Sequence, residues 1–279
     1  MANGKRAAQL VGRLRAKSSS SRDDVVAQLV ELGSEAVPAL LKALGSKDYK
    51  VRIAAAEALG RIRDPEAIEA LIASLGDSSK NVQEAAAEAL TRVGDAAVPL
   101  LLDALIGKDQ AARKWAAEAL GNLGDESVAQ QLIMRLNDAN VEVQRAAVTA
   151  LGGLKSKKAL EPLIDVLASD NVELARAAAE ALGKIKGPIA IQPLIEALSS
   201  PSVDVRSAAA SSLARVGKRA VPALLHTIKH EDYVVRRWVV EILGNIGAEE
   251  ARDAMRRHLE GSRDRLFEGK VLDLSIARD

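Results

Sequence analysis

The 279-residue sequence holds five aromatic residues and no cysteine, with 39 Lys and Arg against 38 Asp and Glu. That balance leaves no overall field to draw in nucleic acid or an anionic membrane, and the missing thiols exclude disulfides and cysteine chemistry within the chain. No uninterrupted apolar run is long enough to span a bilayer and no long apolar signal core opens the chain, so it reads as a soluble, cytoplasmic protein.

Residues 1–22 carry six basic side chains and no acid, a composition shared with organelle transit peptides. Leu10, Val11 and Leu14 nevertheless fall on one face of a helix, and the spacing predicts a capping helix over 1–17 followed by a serine linker. From there the strings around "AL-G" recur, with landmark leucines at Leu29, Leu59, Leu90, Leu120, Leu151, Leu182, Leu213 and Leu243. The steps are 30, 31, 30, 31, 31, 31 and 30 residues, which is the signature of tandem structural repeats.

Each repeat divides into two helices. Helix A is expected to start at an N-cap eleven residues before its leucine: Ser18, Asp48, Ser79, Asp109, Asn140, Asn171, Ser202 and Asp232. It is expected to end near Gly60, Gly94, Gly124, Gly183 or Gly217, where a turn conformation is easily reached. Helix B carries Pro38, Pro99, Pro162, Pro193 and Pro222 in its first turn, where a missing N–H is harmless. Val37, Leu40, Leu41 and Leu44 give B one buried face, whereas runs such as Ala54-Ala55-Ala56 let A be contacted from most sides. Such pairs are stable only when stacked, which makes the fold an all-α superhelix of about eight repeats over 18–261. A second capping helix is expected over 262–279, through Leu266, Val271, Leu272 and Leu274.

The strings "DYKVRIAAAEALGRIRDPEAIEALIASL" (48–75) and "SVDVRSAAASSLARVGKRAVPALLHTI" (202–228) resemble HEAT repeats of the short type named after phycobilisome lyases. The resemblance implies a right-handed α-α solenoid with B helices on its concave, partner-binding side. It is specific for fold and says little about task, because the same scaffold serves many. The related iron enzyme deoxyhypusine hydroxylase places several His-Glu pairs inside its helices; here only His230-Glu231 matches, and it precedes its helix.

Candidate residues are few. Arg22, Arg52, Arg113, Arg206 and Arg236 sit four residues after the cap, and resemble the family's arginine that bonds neighbouring turns more than an anion ladder. Glu57, Glu88 and Glu180 precede Arg61, Arg92 and Lys184 by four, ordinary pairing on a helix surface. His226 and His230 have the spacing of a zinc pair, but no second cluster supplies further ligands, so no metal and no cofactor is assigned. Trp115 and Trp238, in "RKWAAEALGNLG" and "RRWVVEILGNIG", occupy a slot that holds Ala54, Ala85, Ala146, Ala177 and Ala208 elsewhere, so both rings are expected to be buried core.

The sequence therefore reads first as a non-catalytic scaffold for a protein partner. A tetrapyrrole-handling factor that uses Trp115 and Trp238 comes second, short of the aromatic surface a pigment pocket needs. A DNA-binding role comes third, lacking a basic stripe. The residue after the paired apolar positions of helix B reads Lys42, Ala73, Asp103, Met134, Asp165, Glu196, His226 and Arg257. This row is acidic in the middle and basic at its ends, as a solvated face or a groove for a basic-centred segment would be.

Overall fold

A computed structural model describes residues 2–15 and 19–247. Its chain divides into two compact units, 1–154 and 155–279. Unit 1 begins with α1 (Ala2–Arg13) and α2 (Ser19–Glu31), followed by α3 (Val37–Leu44), α4 (Tyr49–Ile62) and α5 (Ile68–Ser74). It continues through α6 (Lys80–Val93), α7 (Val98–Leu105), α8 (Gln110–Leu123), α9 (Ala129–Met134) and α10 (Val141–Leu154). Unit 2 holds α11 (Leu160–Leu167), α12 (Val172–Ile185), α13 (Ile191–Glu196), α14 (Val203–Val216), α15 (Val221–Thr227) and α16 (Tyr233–Ile246). Even-numbered helices from α2 are the A helices, and odd-numbered helices from α3 are the B helices. No strand occurs among the described residues.

Helix A starts where the caps place it. Asp48, Asp109, Asn140, Asn171 and Asp232 each accept a bond from a first-turn N–H. Ser79 and Ser202 do not; they occupy the cap position without a side-chain bond, so there the expectation fails. Ser18 lies outside the described residues, as does 248–279 with the expected closing helix. Helix B differs from its expected form, because each of the described B helices is entered through a 3-10 turn, such as Pro65–Ala67 before α5. Two of these turns have their own caps, Asp64 accepting from Glu66 and Asp125 from Ser127. At the N-terminus Ala7, Leu10 and Leu14 of the first segment are buried, with α1 packed on α2 and α3 while Lys5, Arg6 and Arg13 face out.

The glycines divide into two kinds, and this corrects the expected helix ends. Gly60 and Gly183 lie inside α4 and α12, and no turn requires them. A Cβ on Gly60 would sit 2.5 Å from Cα of Ala89, and one on Gly121 would sit 2.7 Å from Cα of Ala150. On Gly183 it would be 2.8 Å from Cα of Ser212. Glycine is there because the next A helix touches the backbone. Accordingly α4 lies closely along α6, α8 along α10, and α12 along α14. In the repeats where that position is Val30, Thr91 or Ala214, the following A helix meets its neighbour over fewer residues.

The turn from A to B changes in step. Where the glycine is present, the distance from the landmark leucine to the first core leucine of B is twelve residues, as from Leu59 to Leu71 and from Leu182 to Leu194. These turns pass through the ordinary left-handed region, at Arg63 (φ 60°, ψ 32°), Lys186 (φ 59°, ψ 36°) or Gly124 (φ 80°, ψ 7°). Where it is absent the distance is eleven, as from Leu90 to Leu101 and from Leu213 to Leu224. These shorter turns require Gly94 (φ 92°, ψ −150°) and Gly217 (φ 74°, ψ −140°), a region open in practice only to glycine.

One substitution made at two sites tests the packing role. Gly60→Ala forces backbone apart and is expected to cost about 1–3 kcal/mol. Gly153→Ala, inside α10 with its nearest neighbour 3.9 Å away, is expected to gain about 0.5–1 kcal/mol from helix propensity alone. Urea melts showing the same sign for both would remove the argument.

Candidate functional site

The recurring arginine is built into the stack. Arg52 donates Nε and Nη2 to Asp77, in the loop that leads into the next repeat, at 2.7 and 2.8 Å, and its Nη1 to the carbonyl of Ser46 at 2.7 Å. Arg113 does the same with Asp138, at 2.9 Å for both bonds, and with the carbonyl of Gly107 at 3.0 Å. Arg206 and Arg236 bond the carbonyls of Ser200 and His230, at 2.6 and 2.9 Å. The carbonyl six residues back is the common target, and Gln83 and Gln144 reach it equally, at Asp77 and Asp138. Arg22 has a partner as well. Burial pushes the Asp77 and Asp138 carboxyls up, but the arginine bonds and those from Ser79 and Asn140 N–H outweigh it and hold both below the usual carboxylate range.

The tryptophans separate. Trp115 is 6% exposed and sits in α8, facing α6; its Nε1–H donates to Oε1 of Gln83 at 2.9 Å, and Nζ of Lys114 lies 4.3 Å from its ring centre. Ring and N–H are both satisfied inside the protein. Trp238 is less enclosed, falling short of the full burial of Trp115. The two share a context: each follows a repeat that lacks the contact glycine, after Thr91 and after Ala214. After Val30, the third repeat without the glycine, the same slot holds Ala54, so this context accommodates an indole without requiring one.

The surface pairs follow their spacing in two of three cases. Arg61 meets Glu57 at 3.7 Å and Arg92 meets Glu88 at 3.3 Å, whereas Glu180 pairs with Arg176 in place of Lys184. Nδ1 of His230 accepts from the N–H of Asp232 at 3.0 Å, so that nitrogen is turned toward its own loop. Among the described residues no three His, Cys, Asp or Glu side chains come together in a metal-holding group. No described helix is long and apolar enough to cross a membrane.

The row on helix B is exposed throughout its described length. In unit 1, Lys42, Ala73, Asp103 and Met134 project from α3, α5, α7 and α9, with Met134 56% exposed. In unit 2, Asp165, Glu196 and His226 project from α11, α13 and α15, and Arg257 lies outside the described residues. Unit 2 also has an open groove of about 800 Å³, whose walls bring Glu196 and His226 together with Gln192, His230 and Lys229 over Ile195 and Leu225. Gln192 donates to Glu196 at 3.1 Å across one turn. Sequence reasoning placed Glu196 and His226 in one row but missed the groove, because its far wall is the loop between α15 and α16.

A family profile of HEAT repeats matches residues 7–90, 68–142, 129–214 and 191–269. Among solved structures, YIBA of E. coli is 19% identical with a TM-score of 0.57, over 94% of this chain and 99% of that one. The karyopherin Kap121p, bound to the extreme C-terminus of the phosphatase Cdc14p, is 16% identical with a TM-score of 0.64, over 91% of this chain and 35% of that one. The CpcE–CpcF phycocyanin lyase of Nostoc is 24% identical with a TM-score of 0.46, over 79% of this chain and 92% of that one. No curated protein sequence gives a significant match.

Two outcomes are expected from substitution. Trp115→Ala should cost about 3–5 kcal/mol, and Trp238→Ala clearly less because that ring keeps part of its surface in water; equal losses in paired melts would contradict the burial. Asp138→Asn leaves Arg113 without its carboxylate and should cost on the order of 3 kcal/mol at neutral pH. A depressed carboxyl pKa stabilises above the unfolded value of about 3.9 and loses that contribution as pH falls through the folded value. The deficit of Asp138→Asn should therefore shrink as acid melts are taken below pH ~4, and a constant deficit would rule out the charge.

Proposed function

Because the chain belongs to the HEAT-repeat family, we propose that it is a non-catalytic adaptor that binds a protein partner on the exposed row of its B helices. The observation that carries this reading is the groove in unit 2. Charged and hydrogen-bonding groups, Glu196, Gln192 and His226, stand around an apolar floor made by Ile195 and Leu225, the arrangement that receives a peptide side chain and fixes its orientation. The Kap121p complex with a protein tail is a precedent on the same fold. The tetrapyrrole reading has less behind it, because the indole N–H of Trp115 is already bonded to Gln83 and its ring is enclosed.

The partner segment fits best with basic residues over the acidic part of the row. Asp165 and Glu196, both in unit 2, contribute to orientation and encounter rate more than to raw affinity. Selecting a displayed library of short random peptides on the full chain at low salt should enrich sequences with Lys or Arg near their centre. Asp165→Lys combined with Glu196→Lys should lose those sequences, with the melting curve nearly unchanged since both side chains are exposed. Enrichment without basic residues, or equal binding by the variant, would move the interface off this row.

A further inference from the structure

Two kinds of interface alternate in unit 1. Between α4 and α6 the backbone contact at Gly60 and Ala89 is reinforced by the bidentate Arg52–Asp77 pair. Between α8 and α10 the contact at Gly121 and Ala150 is reinforced in the same way by Arg113–Asp138. Between them, α6 and α8 meet differently. Thr91 stands in place of the glycine and turns its hydroxyl to the carbonyl of Ala87 at 2.9 Å, so no backbone contact of that kind forms. Gln83 stands where the arginine would be, and the loop position corresponding to Asp77 and Asp138 is Gly107, which has no carboxylate. The link made instead is the neutral hydrogen bond from Trp115 to Gln83.

We propose that the α6–α8 seam is a hinge built into unit 1, between two clamped pairs of repeats that move as blocks. The physical basis is the difference in what must break. At a clamped interface any opening separates a close-packed backbone contact and a charged, two-point hydrogen bond, both of short range. At the seam, opening or twisting slides the face of an indole, which tolerates small displacements, around one neutral bond. Motion at the seam therefore changes the spacing between Asp103 and Met134, both exposed, and leaves that between Ala73 and Asp103 fixed.

The absence of cysteine allows spin labels to be placed without background. Dipolar EPR on Asp103→Cys with Met134→Cys reads the seam, and Ala73→Cys with Asp103→Cys reads the clamped interface. The expected result is a broader distance distribution for the pair across the seam. Adding Gln83→Arg with Gly107→Asp, which supplies the missing clamp, should narrow it toward the width of the control pair, with Gly107→Asp alone having no such effect. Equal widths for the two pairs in the otherwise unaltered chain would overturn the hinge on their own, whether or not the clamped variant folds. No partner is involved, so this result is independent of the proposed binding role.

Discussion

The distance between successive A helices is the constraint on which most of this architecture depends. Where Gly60, Gly121 or Gly183 faces Ala89, Ala150 or Ser212, one helix rests on the backbone of the next, closer than any side chain permits. A methyl group at that point would have to displace main chain, which is why alanine cannot stand there although it dominates the rest of the helix. The cost of an interior glycine to helix stability is offset by the contacts that close approach adds along both helices.

The same position is coupled to the turn that follows it. A repeat with the glycine leaves its A helix through a left-handed residue, Arg63, Gly124 or Lys186, whereas a repeat without it turns at the same position through Gly94 or Gly217 and reaches helix B one residue sooner. Glycine thus has two separate roles, one holding helices together and the other bending the chain, and the repeat with Gly121 and Gly124 uses both. The tryptophans follow this division in part, since after Val30 the same slot keeps Ala54. Trp115 and Trp238 belong to helices that follow a repeat of the shorter type, and in unit 1 the wider gap is filled by an indole whose N–H meets Gln83. Trp238, after Ala214, keeps part of its ring exposed.

Much of this was legible in the sequence. The uneven steps of 30 and 31 residues already encode the two repeat types, and the alanine slot of Trp115 correctly implied a structural ring. The N-caps with a carboxylate or amide were readable because their chemistry is local, and the arginine slot because its targets lie in flanking turns. What escaped is non-local. Nothing near Gly60 in sequence distinguishes a helix end from a helix contact, since the deciding atom belongs to Ala89, 29 residues on. Spacing alone likewise does not choose between Arg176 and Lys184 for Glu180, since each lies four residues away.

The polar groups of the stack fall into two sets with different implications for binding. Arg52, Asp77, Arg113 and Asp138 are largely enclosed and have their bonds completed by the protein, so a ligand that approached them would have to displace partners already in ideal geometry. Asp103, Asp165, Glu196 and His226 are exposed on short helices whose other face is fixed in the core. Their backbones are held firmly while their charges remain in water, so they can be exchanged without loss of fold. A repeat scaffold separates the two sets in this way: one face of each B helix must keep its leucines, and the exposed face is not constrained by packing.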